Sequence, residues 1–281
     1  MADADEPQST TEAAAQASEK IQEHPAYRWL VTIGLICYGV VHLLLAWLVV
    51  QIALGKGAEA SNQGSLAALA DLPLGRILVL ATGVGMFALA LWQVLEAAFG
   101  YPWLHGKKLI VRKVASSFRA LTYSGIGLVA LNLAASGTVS DGDQSAQGTT
   151  RDVLNLPGGR WLLALVGLAM LVAAIDQVQR GVRRSFVKYD MEGGVPGWAV
   201  KLGIVGWVTK GLTLAIVSFG FLRAAWQQDF HEAGGLDLGI KSLRDEFFGE
   251  ALILVAALGF AAFGLFCFVW SRYARHDASD T

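Results

Sequence analysis

Four polar residues lie inside long apolar stretches, where their side chains could bind or move a solute. Lys210 lies about 18 Å along an ideal helix from Trp198, near the middle of a hydrocarbon core about 30 Å thick. His42 lies at a similar depth, and an internal repeat aligns Lys210 with Tyr38 and Ser124. Because ionisable groups at this depth are costly and often functional, the pattern predicts a mid-membrane polar cluster of these four residues. A structural contact between helices is the alternative.

A second group of polar residues lies near the C-terminal ends of two apolar stretches, 76–98 and 159–177. Gln93 and Gln177 align across the repeat, and Glu96 and Asp176 lie beside them. These four residues form a candidate inner vestibule. Side chains that simply reach interfacial water are the alternative.

Residues of metal-binding type are concentrated in one loop, where Asp229, His231 and Glu232 follow each other closely. The sequence "HEAGG" lacks the second histidine of a zinc-binding H-E-x-x-H motif. There is no phosphate-binding P-loop, no G-x-S-x-G motif and no Cys/His cluster. We therefore predict no metal site, no cofactor and no enzymatic activity.

The elements that carry these residues follow from hydropathy. Hydrophobic residues make up 54% of the 281-residue chain and charged residues 16%, compared with about 25% charged in soluble domains. Six apolar blocks approach or reach the roughly 20 residues that a helix needs to span a bilayer. They are 29–54, 76–98, 118–135, 159–177, 198–223 and 250–270. The blocks are too long for barrel strands, so the sequence predicts an all-α membrane protein with six transmembrane helices.

Basic residues indicate the orientation of these helices. They are concentrated after the second, fourth and sixth blocks, whereas the alternate loops are acidic or neutral. Because basic loops stay cytoplasmic, we expect a multi-pass protein of the bacterial inner membrane with both termini in the cytoplasm. We also expect the basic loops to contact anionic lipid headgroups. Nothing indicates nucleic-acid binding, and a protein partner is unknown.

The six helices repeat in pairs. Gly39, Gly125 and Gly211 are equally spaced in the odd-numbered helices, and Gly75, Gly159 and Gly249 align in the even-numbered ones. Three parallel two-helix repeats that face the same way predict pseudo-threefold symmetry about the membrane normal. The predicted boundaries are a disordered cytoplasmic tail at 1–26, repeats at 27–103, 104–189 and 190–273, and a cytoplasmic tail at 274–281.

One phrase introduces the even-numbered helices. It reads "LADLPLGR" from Leu69 and "LNLPGGR" from Leu154, whereas the third copy lacks the proline and the arginine. The aligned Asp71, Asn155 and Asp245 are good helix N-cap residues, so we expect them to begin these helices. Arg76 and Arg160 would then contact lipid phosphates at the outer interface or an anionic solute.

The three hairpins, this phrase and the sequence "ALWQVLEA" from Ala90 resemble a bacterial membrane family, domain of unknown function 1206. The resemblance covers roughly residues 27–273. It implies six transmembrane helices and no particular activity.

Two functions fit the sequence. The absence of catalytic motifs and the apolar interior favour a non-enzymatic structural or interaction protein. The parallel repeats, together with Lys210 and His42 near mid-membrane, indicate as an alternative a small channel or transporter for an ion or small solute.

Overall fold

The computed structural model describes residues 25–99, 106–138, 141–244 and 248–274. Within these ranges the chain forms ten α-helices, one 3-10 turn at Phe230–Glu232 and no β-strand. The helices are α1 Pro25–Ala53, α2 Asn62–Ala70, α3 Gly75–Phe99, α4 Lys107–Ser136, α5 Gly142–Leu154, α6 Gly159–Val182, α7 Ser185–Asp190, α8 Gly197–Gln227, α9 Leu236–Arg244 and α10 Gly249–Tyr273.

Six helices, α1, α3, α4, α6, α8 and α10, are long and apolar enough to cross a membrane. The prediction of an all-α membrane protein with six transmembrane helices is therefore confirmed. The first of them begins at Pro25, so residues 25 and 26 of the predicted tail belong to α1. Ala274, in the predicted C-terminal tail, pairs with Met191. Residues 1–24 and 275–281 lie outside the described residues.

In each repeat, one short helix connects the two long helices along the chain. The short helices α2, α5 and α9 join α1 to α3, α4 to α6 and α8 to α10. Since each short helix follows the first long helix of its pair, all three lie at one end of the bundle, here called the short-helix end. The connecting helix α7 lies at the opposite end, called the α7 end.

The long helices pack in a definite order. The second long helix of each repeat packs on the first of the next, as α3 on α4, α6 on α8 and α10 on α1. Within repeats, α1 packs on α3 and α8 on α10, but α4 and α6 touch at few points. A closed threefold ring would bring that pair together as well. The bundle is thus an arc whose ends, α4 and α6, meet at a loose seam.

Glycines allow the closest helix crossings. A Cβ atom on Gly34 of α1 would overlap the carbonyl oxygen of Gly85 on α3, and one on Gly39 would overlap the carbonyl oxygen of Gly264 on α10. Small residues let backbones approach when lipid supplies no hydrophobic drive for association. The backbone of α1 therefore lies directly against both of its neighbours.

Three carboxylates join the repeats at the short-helix end. The Asp237 Oδ1 atom accepts a hydrogen bond of 2.8 Å from the backbone N–H of Ala60. The Glu59 Oε1 atom accepts one of 3.1 Å from Gly142, and the Asp143 Oδ1 atom accepts one of 2.5 Å from Gly235. Each repeat thus binds the backbone of the next in a cycle. We call Glu59, Asp143 and Asp237 the carboxylate clasp.

The predicted N-caps are wrong for the two copies that the structure describes. Asp71 is the C-cap of α2, and Asn155 is the C-cap of α5. Pro73 and Pro157 lie in the following turns, not in the first turn of α3 or α6. The reason is that a short helix, not a loop, precedes each position, so the same residue closes one helix before the next begins. Asp245 lies outside the described residues.

Candidate functional site

The predicted mid-membrane cluster is largely assembled. The Lys210 ammonium group on α8 donates a hydrogen bond of 2.7 Å to the Tyr38 hydroxyl on α1. Tyr38 is 3% exposed, and Lys210 is partly buried. These residues are 172 positions apart, so their contact depends on α1 and α8 both facing the inside of the arc.

Aromatic rings surround the ammonium group. The Lys210 Nζ atom lies 4.0 Å from the ring centroid of Phe263, 4.9 Å from that of Tyr38 and 5.2 Å from that of Trp207. The electron-rich faces of such rings attract cations. Among the described residues, no carboxylate forms an ion pair with Lys210. We call Tyr38, Trp207 and Phe263 the Lys210 cage.

His42 completes the buried side of the cage. Its Nδ1 atom lies 2.9 Å from the Tyr38 backbone oxygen, one turn earlier on α1. Because a carbonyl oxygen only accepts, Nδ1 carries the hydrogen of this bond, and in a neutral imidazole Nε2 is then an acceptor. The imidazole packs edge-on against the Tyr38 ring at 4.3 Å and lies 4.7 Å from the Phe263 ring.

The fourth predicted member, Ser124, does not join these contacts. Its neighbour Tyr123 is the α4 residue that packs against Tyr38, with ring centroids 5.2 Å apart. Tyr123 is 3% exposed, whereas Ser124 is only partly buried. Since one residue rotates a side chain by about 100° around a helix, the repeat alignment gave the depth of this contact correctly and its direction wrongly.

Arg119 of α4 lies about one turn closer to the α7 end. Its Nε atom donates a hydrogen bond of 2.7 Å to the Gln93 Oε1 atom, and its Nη2 atom donates one of 2.8 Å to the Ser116 hydroxyl. Gln93 and Ser116 are almost fully buried. Gln93, a predicted vestibule residue, therefore serves to hold an arginine between α3 and α4.

A buried ion pair lies inside the bundle near α7. The Arg180 guanidinium group lies 3.3 Å from the Asp190 carboxylate and 4.9 Å from the Trp207 ring centroid. The Trp270 indole donates a hydrogen bond of 3.1 Å to the Asp190 backbone oxygen. The side chains of Arg180 and Trp270 are both almost fully buried.

The other predicted vestibule residues, Glu96, Asp176 and Gln177, are partly buried. The Oε1 atom of Gln177 is buried and has no hydrogen-bond partner among the described residues. In those same ranges the Trp207 indole N–H is also buried without a partner. The interior thus contains polar groups that no described residue pairs.

At the short-helix end, the arginines of the repeated phrase have different surroundings. The Arg76 Nε atom donates a hydrogen bond of 2.7 Å to the Ala134 backbone oxygen. Arg160 lies 5.1 Å from the Trp161 ring centroid and 5.6 Å from that of Trp226. Their contact with lipid or an anionic solute stays a prediction.

The loop residues of metal-binding type form hydrogen bonds and an ion pair within the protein. Asp229 accepts hydrogen bonds from the backbone and the ring of His231, and these bonds lower the pKa of its carboxyl group. Glu232 instead pairs with Arg223 at 3.0 Å.

Comparison with known proteins gives the family. A model of the family Domain of Unknown Function (DUF1206) matches residues 33–100, 114–184 and 205–274. The chain belongs to the DUF1206 family. It is also 27% identical over 247 residues to an uncharacterised protein, YxxB, of Bacillus subtilis strain 168. That match covers 86% of this chain and 89% of the relative. No solved structure gives a significant match.

Each DUF1206 segment contributes to the interior site. Tyr38 and His42 lie in the first segment, Arg119 and Tyr123 in the second, and Trp207, Lys210 and Phe263 in the third. The interior site therefore combines residues from all three repeats, whereas the Lys210 cage itself is built from the first and third. No residue type is the same in all three copies at these positions.

Sequence reasoning missed Arg119, Tyr123, Trp207 and Asp190. A signal existed for Arg119, because it is an ionisable residue within a predicted membrane helix and such residues are functional candidates. No comparable signal existed for Trp207, whose neighbours Lys210 and Arg180 come together only when α6 packs on α8. Asp190 was hidden because α7 lies in a segment expected to be a loop.

Proposed function

We propose that this DUF1206 protein is a small channel or transporter that carries a solute through the interior of the bundle, with Lys210 at its central site. The observation that carries the proposal is the Lys210 ammonium group. This group lies among three aromatic rings and donates a hydrogen bond to the Tyr38 hydroxyl. No carboxylate among the described residues forms an ion pair with it.

A charge in this position carries a large energetic cost unless something compensates it. A lysine at the centre of a membrane helix costs about 2.5–3.5 kcal/mol on insertion scales. Aromatic faces recover part of this cost, at about 2 kcal/mol for a desolvated cation–π contact. A purely structural contact between α1 and α8 needs no charge, because two apolar side chains would pack there at lower cost.

Two further features support passage of a solute. Polar groups continue from the cage towards the α7 end through Arg119, Gln93 and Arg180. The seam between α4 and α6 leaves the arc loosely closed. Such an arc can widen by movement of α6 without breaking the tight crossings of α1.

The competing function is the structural or interaction protein that the sequence favoured. Its specific support is the dense aromatic packing around Tyr38, His42 and Phe263, all of which are nearly fully buried. Under that hypothesis the Lys210→Leu variant folds, inserts and leaves the cell unchanged. Under the transport hypothesis the variant folds but loses its flux.

The decisive test is reconstitution of the purified chain into liposomes under gradients of ions and small solutes. Flux that the Lys210→Leu variant loses, at unchanged insertion and thermal stability, supports the proposal. Lys201→Leu, which removes an exposed lysine of the same helix, is the matched control and is expected to keep the flux. Absence of flux for every ion and solute under every gradient would refute transport.

The setting of this function is part of the same proposal. The α7 end carries the exposed Lys107, Arg183, Arg184, Lys188 and Arg272, which supports a cytoplasmic position for that end and for both termini. These residues would contact anionic headgroups of the bacterial inner membrane. Cysteine labelling of whole cells at Arg184→Cys and, at the other end, Asp152→Cys tests this orientation.

A further inference from the structure

We infer that the solute bound at the Lys210 cage is a small anion: a halide, or the carboxylate or phosphate group of a small molecule. The inference rests on the proposed function and adds to it the charge of the solute.

Lys210 and Trp207 both present hydrogen-bond donors at the site. An ammonium group has three N–H donors, and Tyr38 accepts one of them. The Trp207 indole only donates, and its N–H is buried without an acceptor among the described residues. The Trp207 ring centroid lies 5.2 Å from the Lys210 Nζ atom. Two neighbouring side chains therefore have donors for an acceptor that the described residues do not supply there.

Further cations lie near the cage. The Arg180 guanidinium group on α6 lies 4.9 Å from the centroid of the Trp207 ring that Lys210 also contacts, and Arg119 on α4 lies about one helical turn closer to the α7 end than Tyr123. Asp190 lies against Arg180, not against Lys210. Cationic side chains line the pores that select anions. A metal cation or an organic ammonium ion would meet repulsion at this site.

A proton relay through Lys210, Tyr38 and His42 is the alternative to an anion site. The geometry disfavours it, because the His42 Nδ1 hydrogen is directed to the Tyr38 backbone oxygen. That carbonyl oxygen cannot pass the proton on to the Tyr38 hydroxyl. The chain of side-chain hydrogen bonds therefore ends at Tyr38.

The experiment uses the full chain in liposomes and three anionic probes: chloride, acetate and inorganic phosphate. Sodium, potassium and proton gradients are measured in parallel. We expect flux of at least one anion, a loss of at least tenfold in Lys210→Met, and retention of most flux in Lys210→Arg, which keeps the charge. Lys201→Met is the control and is expected to behave like the wild type.

A second variant tests the indole donor separately from folding. Trp207→Phe keeps an aromatic ring near Lys210 but removes the N–H group. We expect its anion affinity, measured by isothermal titration in detergent, to fall severalfold while its thermal stability changes little. Unchanged affinity would remove Trp207 from the site and overturn this part of the inference.

The outcomes separate the two proposals. Flux of cations or protons without any anion overturns the anion inference and leaves transport standing. Anion binding that depends on Lys210, without any flux, supports the anion site and refutes transport. If the protein shows no anion binding and no anion flux, the anion inference is overturned.

Discussion

The Asp237 carboxylate of the third repeat accepts a hydrogen bond from the backbone N–H of Ala60 in the first repeat, 177 residues earlier. Ala60 is fully buried and Asp237 is 4% exposed. The same carboxylate forms an ion pair with Lys241 at 2.6 Å. The hydrogen bond between Asp237 and Ala60 closes the cycle of the carboxylate clasp, because it joins the third repeat to the first.

We expect the Asp237→Ala variant to be destabilised by about 1–3 kcal/mol, the cost of leaving a buried N–H group without an acceptor. Thermal unfolding in detergent, followed by circular dichroism, measures the change. Lys241→Ala, which removes the ion pair but keeps the bond to Ala60, should cost less. Asp152→Ala is the control, because an exposed site of this kind usually changes stability by about 0.5 kcal/mol or less. Equal effects of Asp237→Ala and Asp152→Ala would contradict the role of the clasp.

Asp143, the second residue of the carboxylate clasp, makes the stability of the folded protein depend on pH in a direction that its pKa determines. Burial raises the pKa of its carboxyl group above 3.8, and the nearby Asp237 and Asp141 charges raise it further, against the lowering effect of the hydrogen bond from Gly235. The folded protein therefore holds the proton more tightly than the unfolded chain does. This contribution to stability is lost as the pH rises from about 3.8 through the raised pKa.

Asp143→Asn should remove this dependence, because asparagine keeps the acceptor for the Gly235 N–H but does not ionise. We expect the stability difference between wild type and variant to shift in favour of the variant as the pH rises from about 4 to 7. Thermal unfolding at several pH values in one detergent measures it. Parallel curves for the two proteins would show that Asp143 does not titrate in the folded state as described.

The sequence predicted the position of residues along the long helices, but not the rotation of a helix about its own axis. Hydropathy located all six long helices and the depth of Lys210, because depth along a helix follows from residue number alone. The rotation of α4 that selects Tyr123 over Ser124 depends on packing against α1 and α3, which repeat spacing does not encode to one residue.

The short helices were missed for a related reason. Segments of nine to thirteen residues such as α2 and α5 lack the long apolar pattern that reveals a membrane helix. The clasp bonds join them to the next repeat. Leu66 and Leu69 of α2 are buried, whereas Thr150 is the buried residue of α5. Asp71 and Asn155 were consequently assigned to the wrong helix end, although the helix boundary itself was placed within a few residues.

The bond between Lys210 and Tyr38 can be measured by a double-mutant cycle with Tyr38→Phe and Lys210→Met. Tyr38→Phe retains the ring of the cage and removes only the acceptor. Hydrogen bonds to charged groups contribute about 1.5–3 kcal/mol, so we expect a coupling free energy in this range from the four unfolding curves. Additive effects would mean that the two side chains do not interact in the folded protein.

The Arg180–Asp190 pair should show the asymmetry of a buried ion pair. Arg180→Ala leaves the Asp190 carboxylate buried without its cation, and such changes cost about 3–5 kcal/mol. Combining Arg180→Met with Asp190→Leu replaces both charges by apolar groups and should restore much of that stability. Thermal unfolding of the two proteins compares them directly. A double variant that is less stable than Arg180→Ala would show that the charges have a role beyond compensating each other.

The glycine crossing of α1 and α3 provides a test of the arc that is independent of any polar group. In Gly34→Ala the new Cβ atom would overlap the Gly85 carbonyl oxygen, so the two helices must separate, at a typical overpacking cost of about 1–3 kcal/mol. Gly125→Ala on α4 is the matched control, because a Cβ atom there meets no neighbouring atom within 4 Å. It should be tolerated or should stabilise the helix slightly, since alanine is the better helix former. Thermal unfolding and the yield of folded protein in detergent separate the two variants. Equal tolerance at both positions would show that α1 and α3 lie further apart than described.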